Sequence, residues 1–421
     1  MPPLTRGRAA AEALTLLDTL ARAPAAAGLV AAALRECDRK ALRLAHPQLR
    51  DAVDEATTKL KVDLEPRDDG AAVARLPAAA RWPRLEALVV SHPDLAALEA
   101  LGSETWTGLR ALRLRFSKLD MDAPEARALA AAPRRMPALR KLELCGALPD
   151  AAAAAELFRA SSADDAPHLR SLAVTSAVLK LVAARRLAAT GWRLEELDLG
   201  FSLYRGAKAI AALAAAPTFA IRRLPLEWCR LDVAALLAVA NVPWPLEELN
   251  LVGNVFDAAA AAPALAALSR HSGLRRLDVG ICYMSAAGFK ALVEANWPAL
   301  THLRAKEAHA AFDGPHALGA AAFAGFPALE ELDLSDVPLG AAGAALLASR
   351  SWPRLRVLIL RGCQIGDAGL AALAGGAWPA LKMLNLRING LSARPTLPTV
   401  RRWAPALADL RRDRPSARGA A

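Results

Sequence analysis

The sequence is short of the residues that enzymes and metal sites usually need. Among its 421 residues are two tyrosines, seven histidines and five cysteines. No Cys-x-x-Cys pair occurs, so the usual spacing of a structural zinc site is missing. Cys37, Cys145, Cys229, Cys282 and Cys363 are odd in number and far apart, which excludes a disulfide framework and suits a reducing compartment. There is no phosphate-binding GxxxxGK[ST] loop; Gly200, Gly206, Ala207 and Lys208 have the wrong spacing. His302, His309 and His316 recur near Glu307, but His302 falls in a strand-like stretch and His316 follows Gly314-Pro315. They read as surface and loop histidines, not as metal ligands. No nucleophile has a base and an orienting group at a recognisable spacing. The expectation is a non-enzymatic chain with no metal and no cofactor.

Long apolar runs are lacking as well. Hydrophobic residues make up 54%, much of it alanine, yet no run of 18 or more is free of charge. That excludes a membrane-spanning helix. Asp18 interrupts LTLLDTL, so the N-terminus offers no secretory core. Arg6, Arg8 and Arg22 in Ala-rich surroundings fit an organelle transit peptide; Glu12 and Asp18 argue against one. A cytoplasmic location is expected, with the nucleus or the cytoskeleton and ciliary axoneme as alternatives.

Charge of one sign is in moderate excess, at +11. Residues 1–80 carry twelve basic and eleven acidic side chains, and residues 394–421 carry seven and two. The long middle, with thirty-four and twenty-nine, is nearly balanced. A phosphate backbone wants a continuous basic surface, so nucleic acid is a poor fit.

What the chain has in abundance is repetition. The pattern L-x-x-L-x-L begins at Leu85, Leu109, Leu139, Leu169 and Leu194, and as IRRLPL at Ile221. It continues at Leu246, Leu274, Leu300, Leu329, Leu355 and Leu381, with spacings of 24 to 30 residues. A weaker starter, TTKLKV, begins at Thr57, and a degenerate LADL lies at Leu407. In each unit the alternating leucines predict a strand with one buried face. An Ala/Leu stretch at helical spacing follows, as in Gly366–Leu373. A bulky residue, a proline and a leucine then open the next unit, as in Trp352-Pro353-Arg354-Leu355. Proline is expected to stop the helix and the tryptophan to cover the core between units. One unit cannot fold alone. Burying a leucine contributes about 2 kcal/mol, while fixing each backbone position costs about 1–2 kcal/mol. Stacking must supply the difference, and the result is a solenoid.

Leu355–Leu384 reads LRVLILRGCQIGDAGLAALAGGAWPALKML. It resembles leucine-rich repeats of the ribonuclease-inhibitor-like and cysteine-containing subclasses, common in F-box/leucine-rich-repeat proteins. The resemblance covers about residues 57–393. It implies an α/β horseshoe with a parallel sheet on the concave face and helices outside. The repeat's Asn/Cys ladder position falls on Cys229, Asn254, Cys282, Cys363 and Asn389, and elsewhere on Ser117, Ala147, Ala177, Ser202, Ala308 and Val337. Residues 394–421 then form a C-terminal cap and basic tail.

Residues 1–56 lack the repeat and read as short helices broken at Pro24 and Pro47. Ala41–Asp54, ALRLAHPQLRDAVD, is similar to the back half of an F-box, although His46-Pro47 replaces the usual Val-Cys and the Leu-Pro opening is absent. That resemblance implies docking of Leu42, Leu44, Leu49 and Val53 on the Skp-type adaptor of a cullin-RING ubiquitin ligase. The alternative is a helical cap over the first edge of the solenoid.

Strand residues that flank the second leucine point away from the core. On the expected concave face these include Arg113, Arg115 and Glu143, then Glu196, Asp198, Glu227 and Trp228. Glu248, Asn250, Asp278, Arg304, Glu331 and Asp333 follow, and Arg361, Asn385 and Arg387 complete the candidate surface. It reads as an acidic middle between basic ends, a pattern suited to a protein partner. The function expected is therefore a protein-interaction scaffold, in its sharper form a ligase substrate receptor. A cytoskeletal or ciliary scaffold and a GTPase activator of similar shape are the competing readings.

Overall fold

A computed structural model of the chain describes residues 58–64, 79–116, 122–146, 156–158, 166–176, 179–204, 206–307, 318–392 and 395–412. Leu42, Leu44, Leu49 and Val53, the expected adaptor contacts, lie outside the described residues. Each leucine motif becomes one strand of a single parallel sheet, and the strands follow one another in chain order. They are β1 (Lys59–Asp63), β2 (Ala87–Ser91), β3 (Ala111–Arg115), β4 (Lys141–Cys145), β5 (Ser171–Thr175), β6 (Glu196–Asp198) and β7 (Arg223–Pro225). Then come β8 (Glu248–Asn250), β9 (Arg276–Asp278), β10 (His302–Arg304), β11 (Glu331–Asp333), β12 (Val357–Ile359), β13 (Met383–Asn385) and β14 (Asp409–Arg411). The weak TTKLKV and LADL motifs supply β1 and β14. This is the α/β leucine-rich-repeat solenoid that the repeats imply.

Two compact units divide between Leu172 and Ala173. In the first, Leu88, Leu112 and Leu142 stand in register across β2 to β4 and are buried. In the second, Leu224, Leu249, Leu277, Leu303, Leu332, Leu358 and Leu384 form the same stack across seven strands. Each is at most 2% exposed, so the spine is continuous within the unit. The stack follows from the period of two: every second strand residue faces the core, and each repeat places its leucine at the same height.

Helices close the core from the other side. Asp94, Asp122, Asp232 and Ser285 cap helix N-termini by accepting backbone N–H bonds, and Asp122 forms a reciprocal capping box with Glu125. Small residues let neighbouring helices approach. A Cβ on Gly369, in the helix Gly366–Ala374, would lie 3.2 Å from Ala344 Cβ and 3.3 Å from Ala341 Cα of the helix Gly340–Ala348.

The tryptophans before the repeat prolines have a more specific task than covering the core. The indole N–H groups of Trp297, Trp352 and Trp378 donate to the carbonyls of Leu292, Leu347 and Leu373 at 2.9, 2.8 and 2.9 Å. Each carbonyl belongs to the last turn of the preceding helix, where intrahelical donors run out. The proline does not stop the helix. The helix Gly340–Ala348 has ended at Ser349, and Pro353 lies in the turn that leads into β12.

The ladder position works across repeats. Within the second unit Cys229, Cys282 and Cys363 donate to the carbonyls of Leu199, Leu251 and Leu334 at 3.0–3.1 Å. Asn254 donates to the Leu226 carbonyl and accepts from the Leu231 N–H; Asn389 does the same for Leu360 and Ile365. Ser202 reaches the Val174 carbonyl at 2.6 Å. Burial pushes the Cys282 thiol up to about 12 and raises Cys363 further, so both stay protonated donors.

Candidate functional site

The outward sheet face of the second unit is built from two rows of side chains. The first strand residues, Glu196, Arg223, Glu248, Arg276, His302 and Glu331, are register neighbours from β6 to β11. The signs alternate, and the charges pair across strands. Arg223 meets Glu196 at 3.0 Å, Arg276 meets Glu248 at 3.4 Å, and Arg304 meets Glu331 at 2.9 Å. His302 Nε2 lies 3.9 Å from Glu331, while its Nδ1 is 2.8 Å from Thr301 Oγ1. Hydrogen bonds to Glu196 and Glu331 hold the guanidinium groups of Arg223 and Arg304 above their usual range. Exposed pairs of this kind contribute little stability; their consequence is an ordered charge pattern.

A groove of about 440 Å³ runs across these strands, bordered by both rows, with Leu224, Leu249 and Leu277 at its floor. Arg223, Arg276 and Arg304 are exposed. The middle of the face is therefore an alternation, less acidic than a count of its carboxylates implies, because the interleaved arginines neutralise part of it.

The second row has an additional role inside the chain. Asp198, Asn250, Asp278, Asp333 and Asn385 each accept the backbone N–H two residues ahead, at 2.9–3.2 Å. These Asx turns bend the chain off each strand. Desolvation raises the Asp278 carboxyl, with Arg304 opposing. Asn385 is buried, so it offers little to a partner.

The remaining candidates divide by unit. In the first, Arg113 and Lys141 both pair with Glu143, which is buried, while Arg115 is exposed. In the second, Arg361 pairs with Asp336 and Arg387 is exposed.

Glu227 and Trp228 stand apart. Glu227 follows β7, and Asn250 donates to it at 3.3 Å. Among the described residues no basic side chain pairs with Glu227. Burial raises its carboxyl, and the negative charges of Asp198 and Asp278 raise it further. Trp228 is 46% exposed and stacks on Phe201, with ring centroids 6.2 Å apart and planes 16° apart.

Sequence reasoning missed one regularity entirely. The residue before each ladder position has a positive φ: Phe201, Trp228, Gly253, Ile281, Glu307, Asp336, Gly362 and Ile388 all lie between 52° and 74°. Their N–H groups bond to the next repeat, as Trp228 does to the Val252 carbonyl at 2.8 Å and Ile281 to Lys306 at 2.7 Å. Only Gly253 and Gly362 carry the residue type that signals such a conformation.

A family profile described as "Leucine Rich repeat" matches residues 354–374. No curated protein matches the chain. Among solved structures, the Rad7 and Elc1 complex in yeast is similar over 94% of this chain and 96% of that chain, at 13% identity and a TM-score of 0.48. An internalin (inlF) from Listeria monocytogenes is similar over 88% and 92%, at 16% identity and a TM-score of 0.41.

Proposed function

We propose that this chain is a non-enzymatic protein-interaction scaffold that binds a partner protein on the outward face of its sheet. The observation that carries the reading is the row of alternating, mutually paired charges from Glu196 to Glu331, open to solvent around the groove. Such a row costs its side chains freedom and returns little stability. It presents a fixed pattern of sign that a complementary protein surface can read. Among the described residues no three His, Cys, Asp or Glu side chains cluster to hold a metal, and no helix is long and apolar enough to cross a membrane.

The sharper form makes the chain a substrate receptor of a ubiquitin ligase. Residues 1–56 dock on a Skp-type adaptor through Leu42, Leu44, Leu49 and Val53, the repeats of about 57–393 select the target, and residues 394–421 cap the array. Its support is the F-box-like sequence Ala41–Asp54, set directly before repeats of the cysteine-containing type. Affinity capture of the full chain, compared with a chain lacking residues 1–56, tests both levels. The expected result is that the adaptor is captured only by the full chain and the target by both. An adaptor that never co-purifies removes the ligase role; a target lost together with residues 1–56 removes the face reading.

A further inference from the structure

Beside the charged face, the second unit carries an apolar ledge that the fold does not require. Phe201, Trp228 and Ile281 occupy the left-handed position of their repeats, with φ of 59°, 54° and 54°. Glycine adopts this conformation freely, and Gly253 and Gly362 hold the same place in sister repeats. A bulky or β-branched residue there is strained. Nor are these side chains core: Phe201 is 55% exposed, and Val255 and Tyr283, just beyond the next ladder residues, are 51% and 48% exposed. The chain also makes room for the ledge. A Cβ on Gly253 would overlap the indole of Trp228.

The chemistry next to the ledge has one sign. A Cβ on Gly200 would lie 2.9 Å from the Glu227 carboxyl carbon and 3.3 Å from Asp198 Oδ1, so the two carboxylates border one small space kept open by glycine. The charges that reach Glu227 are those of Asp198 and Asp278, both negative. Half-exposed aromatics flanked by an unneutralised carboxylate fit a cation with an apolar neighbour, and repel phosphate and acidic lipid alike.

We propose that Phe201, Trp228 and Ile281, with Glu227 and Asp198 beside them, seat an extended segment of the partner protein that carries an arginine or lysine next to an apolar residue. This rests on the partner-binding reading and names the chemistry of the partner at one end of the groove strands. The cation pairs with Glu227 and the apolar neighbour packs on the exposed edge of Trp228.

Selection of short random peptides displayed on phage against the full chain tests it. The expected result is enrichment of sequences in which arginine or lysine adjoins an apolar residue. Their affinity should fall about tenfold or more for Trp228→Gly and for Glu227→Gln. Trp228→Gly keeps the backbone conformation, and an unchanged thermal midpoint separates lost contact from lost fold. Enrichment of acidic peptides, or of peptides indifferent to both substitutions, overturns the proposal. Binding that ignores both substitutions yet vanishes on exchanging Glu248 and Arg276 leaves the face reading standing. If no peptide is enriched the ledge proposal also fails, while capture of the whole target still decides the face.

Discussion

Trp228 is where the backbone and the surface make opposite demands. An L-residue in the left-handed region costs about 1–2 kcal/mol, and stacking on Phe201 offsets about 0.5–1.5 kcal/mol of it. Trp228→Gly should therefore leave stability within about 1 kcal/mol of wild type, measured by urea unfolding. Asn254 contrasts with it. Its side chain is fully buried and serves Leu226, Leu251 and Leu231 at once. Asn254→Ala strands these backbone groups and should cost about 3 kcal/mol by the same assay. His271 is a third case. Buried, with Nε2 donating to the Val239 carbonyl at 3.0 Å, it has its pKa lowered below 6.5 by desolvation. The unfolded chain then binds the proton more readily. The stability His271 confers is complete above about pH 6.5 and is lost as pH falls towards the folded value. His271→Gln should flatten the urea midpoint between about pH 5 and 6.5; an unchanged slope would show that other groups dominate.

At the scale of elements, the strands were written plainly in the sequence, down to the faint motifs that become β1 and β14. Period-two leucines admit only one buried face, and twelve copies in register leave no choice of pairing. The ladder was legible too, and Ser202 fills it where asparagine or cysteine is absent, because a hydroxyl also donates. Other features were hidden because several residue types solve the same problem. The left-handed column carries Phe, Trp, Ile, Glu, Asp and Gly, so no single residue type marks it. The Asx role of Asp198, Asn250, Asp278 and Asp333 was masked by their charge and polarity, which read equally well as a binding surface. The proline in Trp-Pro-x-Leu drew attention from the indole, which is the group that closes the helix. Trp352→Phe keeps the ring volume and removes the bond to Leu347, leaving a buried carbonyl unpaired. It should lower stability by about 1 kcal/mol. An unfolding midpoint equal to wild type would mean that the indole only fills space.

At the scale of the molecule, repeats that touch mainly their sequence neighbours make stability a sum of local terms and nearest-neighbour interfaces. The in-register leucines from Leu224 to Leu384 are such an interface repeated. The same stacking fixes the side chains on the opposite face of each strand, so the spine and the charge row are two sides of one register. This is why a chain without recognisable catalytic residues can still be specific: the order of its repeats is the order of its surface charges. The most direct test exchanges Glu248 and Arg276 for one another, which preserves net charge and the ion pair but reverses the pattern at the centre of the groove. Titration of the captured partner protein against this exchanged chain is the deciding measurement. A fall in affinity of about tenfold or more with an unchanged thermal midpoint is the predicted result; affinity equal to wild type would contradict the account.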